Sequence, residues 1–74
     1  MDYRLRIRDL REDHDKTQQN IADILGTSQT MYARYERGAS ELPIRHLICL
    51  ALYYNVSMEY IVVLTDDKTP LYRR

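Results

Sequence analysis

Apolar residues recur along this chain at helical spacing, and polar or turn-forming residues interrupt them at short intervals. Tyr3, Ile7, Leu10 and His14 fall three or four apart and predict a first amphipathic helix, which the run Asp13-His14-Asp15-Lys16 ends. Thr17 can accept an orphan backbone N–H at the start of a second helix, whose buried stripe is Ile21, Ala22 and Leu25. Gly26 follows at the position where a helix end turns into the left-handed region, cheap for glycine alone. Ser28 caps a third helix with Tyr32 and Tyr35 inward, and Gly38 ends it in the same way. Pro43 suits the first turn of a fourth, with Leu47, Leu50, Ala51 and Tyr54 on its inner face. Ser57 caps a fifth, bracketed by Val56 and Ile61 at the positions of a hydrophobic staple. Alternation at period two is weak and confined to Ile61–Leu64. The pattern predicts an all-α domain, a five-helix bundle over residues 1–66. A polar stretch from Thr65 to Arg74 is expected to fray, with a tail over 67–74.

Length and composition narrow this reading. The 74 residues suffice for one domain with a thin core, and 45% apolar with 30% charged residues is a globular balance. A lone cysteine, Cys49, allows no internal disulfide, and with His14 and His46 it makes no ordinary four-ligand zinc site. No apolar run approaches the roughly 20 residues of a membrane span, and the start lacks a signal-peptide core, so a reducing cytoplasm is the expected home. Eleven basic and eleven acidic residues give a neutral chain with a pI near 6.7, unlike the basic footprint of most nucleic-acid binders. Charge alone would not suggest DNA. Placement has to carry the argument.

The informative segment is Thr17–Gly38. Two short helices joined at Gly26-Thr27-Ser28 must cross steeply, and a small residue, Ala22, sits where they approach. Ile21, Leu25, Tyr32 and Tyr35 then fix the angle from inside. This is a helix-turn-helix, in which the second helix of the pair enters the major groove. Gln29 can give a bidentate contact to adenine and Arg34 one to guanine, and Ala33 between them is small enough not to obstruct. Lys16 and Arg37 flank the motif where phosphates would lie.

Several runs then resemble one family, the Cro/repressor-type (XRE) helix-turn-helix proteins. They are Arg6–Glu12, Thr17-Gln18, Ile21–Gly26, Ser28-Gln29, Arg34–Gly38, Leu50-Ala51 and Val56–Tyr60, together spanning most of Arg4–Asp67. The resemblance implies a lambda-repressor-like five-helix domain that binds a double-stranded operator, often as a homodimer, and regulates transcription, here as a repressor. It places Ser28, Gln29, Thr30 and Arg34 at the recognition helix and Gln18 on a phosphate at a helix N-terminus. It also pairs Arg11 with Glu36 between helices one and three. Asn20 stands where the family often has an acidic capping residue, and Met31 where it often has a small polar one, so contact there is apolar, as to a thymine methyl.

Plainer readings bear on the remaining residues. The Arg11–Glu36 pair is expected to be structural and, if exposed, to contribute less than about 1 kcal/mol. Tyr32, Tyr35, Tyr54 and Tyr60 could stack on single strands, but their inward positions favour the core. The alternating charges from Arg4 to Asp13 read as a solvated face. His46 and Cys49 share a helix face without a third partner, so no catalytic residue, metal or cofactor is expected. Ile61 and Leu64 read as core, whereas Val62, Val63, Leu71 and Tyr72 are surplus apolar residues suited to a dimer contact on an inverted-repeat operator. The alternative reading is an antitoxin-like module that uses the same fold to hold a protein partner.

Overall fold

The computed structural model describes residues 2–70. Leu71 and Tyr72, two of the residues expected at a dimer contact, lie outside them. Five helices follow in order: α1 (Tyr3–Asp13), α2 (Gln18–Leu25), α3 (Gln29–Arg37), α4 (Ile44–Tyr54) and α5 (Met58–Ile61). Three of the starts are fixed by hydroxyls, with Thr17 accepting the Asn20 N–H, Ser28 that of Met31 and Ser57 that of Tyr60. Gly26 and Gly38 close α2 and α3 in the left-handed region, at φ 73° and 80°. Asn55 does the same for α4 at φ 56°, because asparagine tolerates this conformation better than most residues.

Each helix turns one stripe inward. Ile7 and Leu10 of α1, Ile21, Ala22 and Leu25 of α2, Tyr32 and Tyr35 of α3, and Leu50, Ala51 and Tyr54 of α4 form one cluster. Val56 and Ile61 close it around the cap of α5, and Leu47 and Tyr60 pack at its margin. Ala22 is fully buried and Tyr32 is 0% exposed, so the α2–α3 crossing lies at the centre of the domain. Burying a large apolar side chain of this kind contributes about 1.5–3 kcal/mol. At the other end of the helix pair, the Tyr3 hydroxyl donates to the Glu41 carboxylate (3.3 Å) and accepts from the Leu42 N–H (3.4 Å). The start of α1 is thereby tied to the loop between α3 and α4.

Four expectations need correction. Leu64 is not core: α5 ends at Ile61, Val63 adopts φ 68°, and the reversed chain leaves Leu64 78% exposed. His14 is not in the buried stripe of α1; it is exposed, with its ring 4.8 Å from that of Tyr54. The charges of α1 are not all solvated. Arg6 is 7% exposed, lies 3.9 Å over the Tyr60 ring and reaches Asp66 at 3.4 Å. Finally, the stretch beyond Thr65 does not fray within the described residues. The Ser57 N–H donates to the Lys68 carbonyl (2.9 Å), the Ser57 hydroxyl meets the Asp67 carbonyl (3.4 Å), and Pro70 is buried. The N-cap of α5 thus serves a second purpose as a dock for the returning chain.

Candidate nucleic-acid interface

The inward stripe of α3 decides what its other side can present. Tyr32 and Tyr35 point into the core, so Gln29, Thr30, Met31, Arg34 and Arg37 are left in solvent, with Ala33 half-buried between them. The turn that sets this orientation is held by backbone bonds, from Thr27 N–H to the Ala22 carbonyl (2.9 Å) and from Tyr32 N–H to the Ser28 carbonyl (2.9 Å). Asn20 completes a reciprocal cap, its side-chain oxygen accepting the Thr17 N–H at 3.0 Å. An amide therefore performs the capping task at the position where the resemblance implied an acid.

Behind this face runs a chain of polar contacts. The Arg11 guanidinium grips Glu36 from two sides, Nε donating at 2.8 Å and Nη2 at 3.2 Å, while Nη1 donates to the Lys16 carbonyl (3.0 Å). Gln18 Nε2 donates to the same carboxylate (3.1 Å), and the Gln18 carbonyl oxygen accepts from Gln29 Nε2 at 2.8 Å. One path of hydrogen bonds thus connects α1, the start of α2, and the first residue of α3. The Glu36 and Arg11 side chains are only 4% and 13% exposed, so the pair is largely shielded from water and the small contribution of an exposed pair does not apply to it. Burial pushes the Glu36 pKa up, but the Arg11 guanidinium, the neighbouring Tyr32 hydroxyl and the Gln18 amide outweigh it, and the carboxyl titrates below its ordinary value. Burial foremost, and the adjacent carboxylate, raise the Tyr32 phenol, whose oxygen meets no partner at full hydrogen-bond geometry.

Arg34 is exposed but not idle. Its Nε donates to the Ser40 hydroxyl (3.0 Å) and its Nη2 to the Ala39 carbonyl (3.4 Å), which ties it to the loop after α3. Lys16 is half-buried beside the α1–α2 turn, and Arg37 is exposed at the end of α3. Gln18, Ser28, Gln29 and Thr30 gather around the start of α3, with Arg34 about one turn further along it. The Gln18–Gln29 bond was missed from sequence, since a spacing of 11 residues across a turn leaves no periodic signal. His46 is 7% exposed with its ring 5.8 Å from that of Tyr35, and Cys49 meets the Ile24 carbonyl at 3.9 Å. Burial and the Arg45 charge lower the His46 pKa, which favours a neutral core histidine.

A family model described as helix-turn-helix matches residues 7–61, from the core of α1 to the end of α5. The chain belongs to the XRE-type helix-turn-helix family. Two curated relatives are similar to the chain, and the name of the first agrees with this placement. The chain is 38% identical over 72 residues to an uncharacterized HTH-type transcriptional regulator, YobD, of Bacillus subtilis (strain 168), a match covering 97% of this chain and 64% of that protein. It is 36% identical over 62 residues to the antitoxin PezA of Streptococcus pneumoniae serotype 4 (strain ATCC BAA-334 / TIGR4), covering 84% of this chain and 38% of that protein. The matches therefore span less than two thirds of either relative. No solved structure matches the chain. Among the described residues, no helix is long and apolar enough to cross a membrane.

Proposed function

We propose that this chain binds double-stranded DNA and regulates transcription, acting as a cytoplasmic repressor that lays the helix from its Ser28 cap to Arg37 into the major groove. The observation that carries the reading is the division of α3 into two faces. Tyr32 and Tyr35 are 0% and 3% exposed, while Gln29, Thr30, Arg34 and Arg37 stand in solvent on a rigid support. Direct readout needs side chains of this kind, able to match base edges and held at a fixed angle. Gln29 takes an adenine edge, Arg34 swings from its loop bonds to a guanine, Thr30 supports them, and Met31 packs on a thymine methyl. Gln18, Ser28, Lys16 and Arg37 meet phosphates and fix the register. The name of the Bacillus relative supports the same reading.

One recognition helix reads few base pairs, so the reading includes a homodimer on an inverted repeat with half-sites roughly 34 Å apart. Val62 (38% exposed), the half-buried Val63 and the exposed Leu64 offer a contact surface, while Leu71 and Tyr72, expected from sequence to join it, lie outside the described residues. Selection from a random duplex pool, followed by titration at two salt concentrations and sedimentation, tests all of this together. An enriched inverted repeat, a falling affinity with salt and two chains per site are expected. The absence of any enriched sequence and of any salt dependence would overturn the DNA reading.

One observation favours a second reading, a module that holds a protein partner. Ile44, Ile48 and Leu52 are 73%, 43% and 61% exposed and lie four residues apart, so α4 presents an apolar ridge to solvent. The antitoxin relative supports that reading, and charged substitutions on the ridge that leave operator binding intact would separate the two roles.

A further inference from the structure

A chain with equal numbers of acidic and basic residues must grip a polyanion by placement of charge and not by its sum. Two arginines are engaged inside the fold, Arg11 on Glu36 and Arg6 against Tyr60 and Asp66. Arg4 is different. Its side chain crosses from the first turn of α1 to the far end of α3 and lies over Gly38, so closely that a Cβ there would run into the guanidinium. Arg37 is the last residue of α3, and Arg34 is bonded to Ser40 and Ala39 in the same loop. Basic groups from two helices therefore converge on residues 37–40.

Asp2 holds Arg4 there. One oxygen of its carboxylate caps α1, accepting the Arg4 N–H (2.9 Å) and the Leu5 N–H (3.4 Å). The other accepts from Arg4 Nη2 (2.7 Å) and Nε (3.2 Å). Turned on two oxygens of a phosphate, the same arginine edge makes a bidentate fork. It uses Nε and Nη2, which leaves Nη1 over Gly38. The Arg4 and Asp2 side chains are 39% and 49% exposed, so an incoming anion can reach the pair.

We propose that Arg4, with Arg37 and the Gly38–Ser40 loop, forms a DNA-phosphate site at the C-terminal end of α3, where the Asp2 carboxylate stands in for the phosphate until duplex binds. This rests on the reading of α3 as the recognition helix. Its nine residues rise about 13 Å, and a helix lying in the major groove contacts base edges with its N-terminal residues. When its first residues read base edges, its last must leave the groove beside a sugar-phosphate backbone. Lys16 and Gln18 meet one wall and Arg4 with Arg37 the other, so a neutral protein obtains two phosphate contacts on either side of the bases it reads.

The experiment measures affinity against salt for the wild type, Arg4→Ala, Arg4→Lys, Asp2→Asn and the Asp2→Asn/Arg4→Ala pair on a selected duplex and a mismatched one. Arg4→Ala is expected to reduce the log–log salt slope by about one, so that a fourfold rise in salt costs it about fourfold less affinity than wild type. It should weaken cognate and mismatched duplex alike. Arg4→Lys, which keeps the charge, restores the slope. Asp2→Asn keeps a competent helix cap but removes the competing charge, and is expected to tighten binding. In the Arg4→Ala background that gain should vanish. A wild-type slope in Arg4→Ala, or an equal gain from Asp2→Asn in both backgrounds, overturns the proposal. A wild type with no salt-dependent binding to any duplex overturns the DNA reading itself, and this site with it.

Discussion

Replacing Glu36 by glutamine would remove one charge and almost no volume from the contact between α1 and α3. The effect should be large, because the Glu36 and Arg11 side chains are 4% and 13% exposed and two of the three bonds that hold the guanidinium go to this carboxylate. Removing one partner of a buried pair strands the other, at a cost of about 3–5 kcal/mol. The amide still accepts one of the Arg11 bonds, so the lower end, about 3 kcal/mol, applies here. A chain of 74 residues has a total stability of roughly 4–11 kcal/mol, and in a domain of this size 1 kcal/mol shifts the melting temperature by about 4–8 °C. Glu36→Gln should therefore melt at least about 12 °C below wild type, read by circular dichroism at pH 7.

The pH dependence gives that prediction a sign. The Glu36 pKa is lowered in the folded protein from an ordinary value of 4.5, so the unfolded chain binds its proton first. Stability from the pair is full above about pH 4.5 and is lost as pH falls through the lowered value. The gap between wild type and Glu36→Gln should close in acid. An apolar exchange of both partners, Arg11→Met with Glu36→Leu, should recover much of the loss, since no charge is then stranded. It will not recover all of it, because Arg11 also holds the Lys16 carbonyl. If Glu36→Gln melts within a few degrees of wild type, or the double variant melts no higher than the single, the pair does not act as argued.

Gln29→Ala and Arg34→Ala should each lose about 1–3 kcal/mol of preference between cognate and mismatched duplex while melting as wild type does, measured by competition binding. Ala22→Leu should cost about 1–3 kcal/mol or more in thermal unfolding, because Ala22 is fully buried at the α2–α3 crossing. Gly38→Ala should be destabilised by about 1 kcal/mol or more, since φ 80° opposes a Cβ, and it should also displace the overlying Arg4 guanidinium. Charged replacements of Val62 and Val63 should weaken operator binding steeply and leave the monomer folded, as sedimentation with and without DNA would show.

Caps and turns were legible because their causes are local. A hydroxyl at Thr17, Ser28 or Ser57 acts on a backbone N–H three residues away, and Gly26 and Gly38 each need only their own φ. Most of the buried stripes of α1 to α4 were legible for the same reason; His14 fitted the spacing although it lies past the last turn of α1, Tyr3 is only half-buried, and the buried Arg6 and His46 were hidden by their polarity. Failures began where contacts join distant segments. Leu64 fitted the spacing of a core residue, but the positive φ of Val63 turns the chain away, and a β-branched residue gives no warning of that conformation. The docking of the chain at Lys68 depends on a backbone bond to Ser57 that polarity argued against.

The candidate interface divides along the same line. Which residues of α3 face outward follows from period and from the two inward tyrosines, so Gln29, Thr30, Arg34 and Arg37 could be named from sequence. What braces them could not. Reading Arg4 to Asp13 as one solvated face treated Arg4, Arg6 and Arg11 as equivalent, yet they go to a loop glycine, a tyrosine ring and a buried carboxylate. Helical wheels give the direction in which a side chain leaves its helix, but a guanidinium travels far enough to meet another element, and its endpoint is set by tertiary packing. The neutral total charge misleads for the same reason. Glu36 is spent on Arg11, Asp66 on Arg6 and Asp2 on Arg4, while Glu41 accepts from the Tyr3 hydroxyl. The charge available to a ligand is thus decided by which pairs the fold closes, and among the described residues no ion pair takes up Arg34 or Arg37 on the face that carries Gln29.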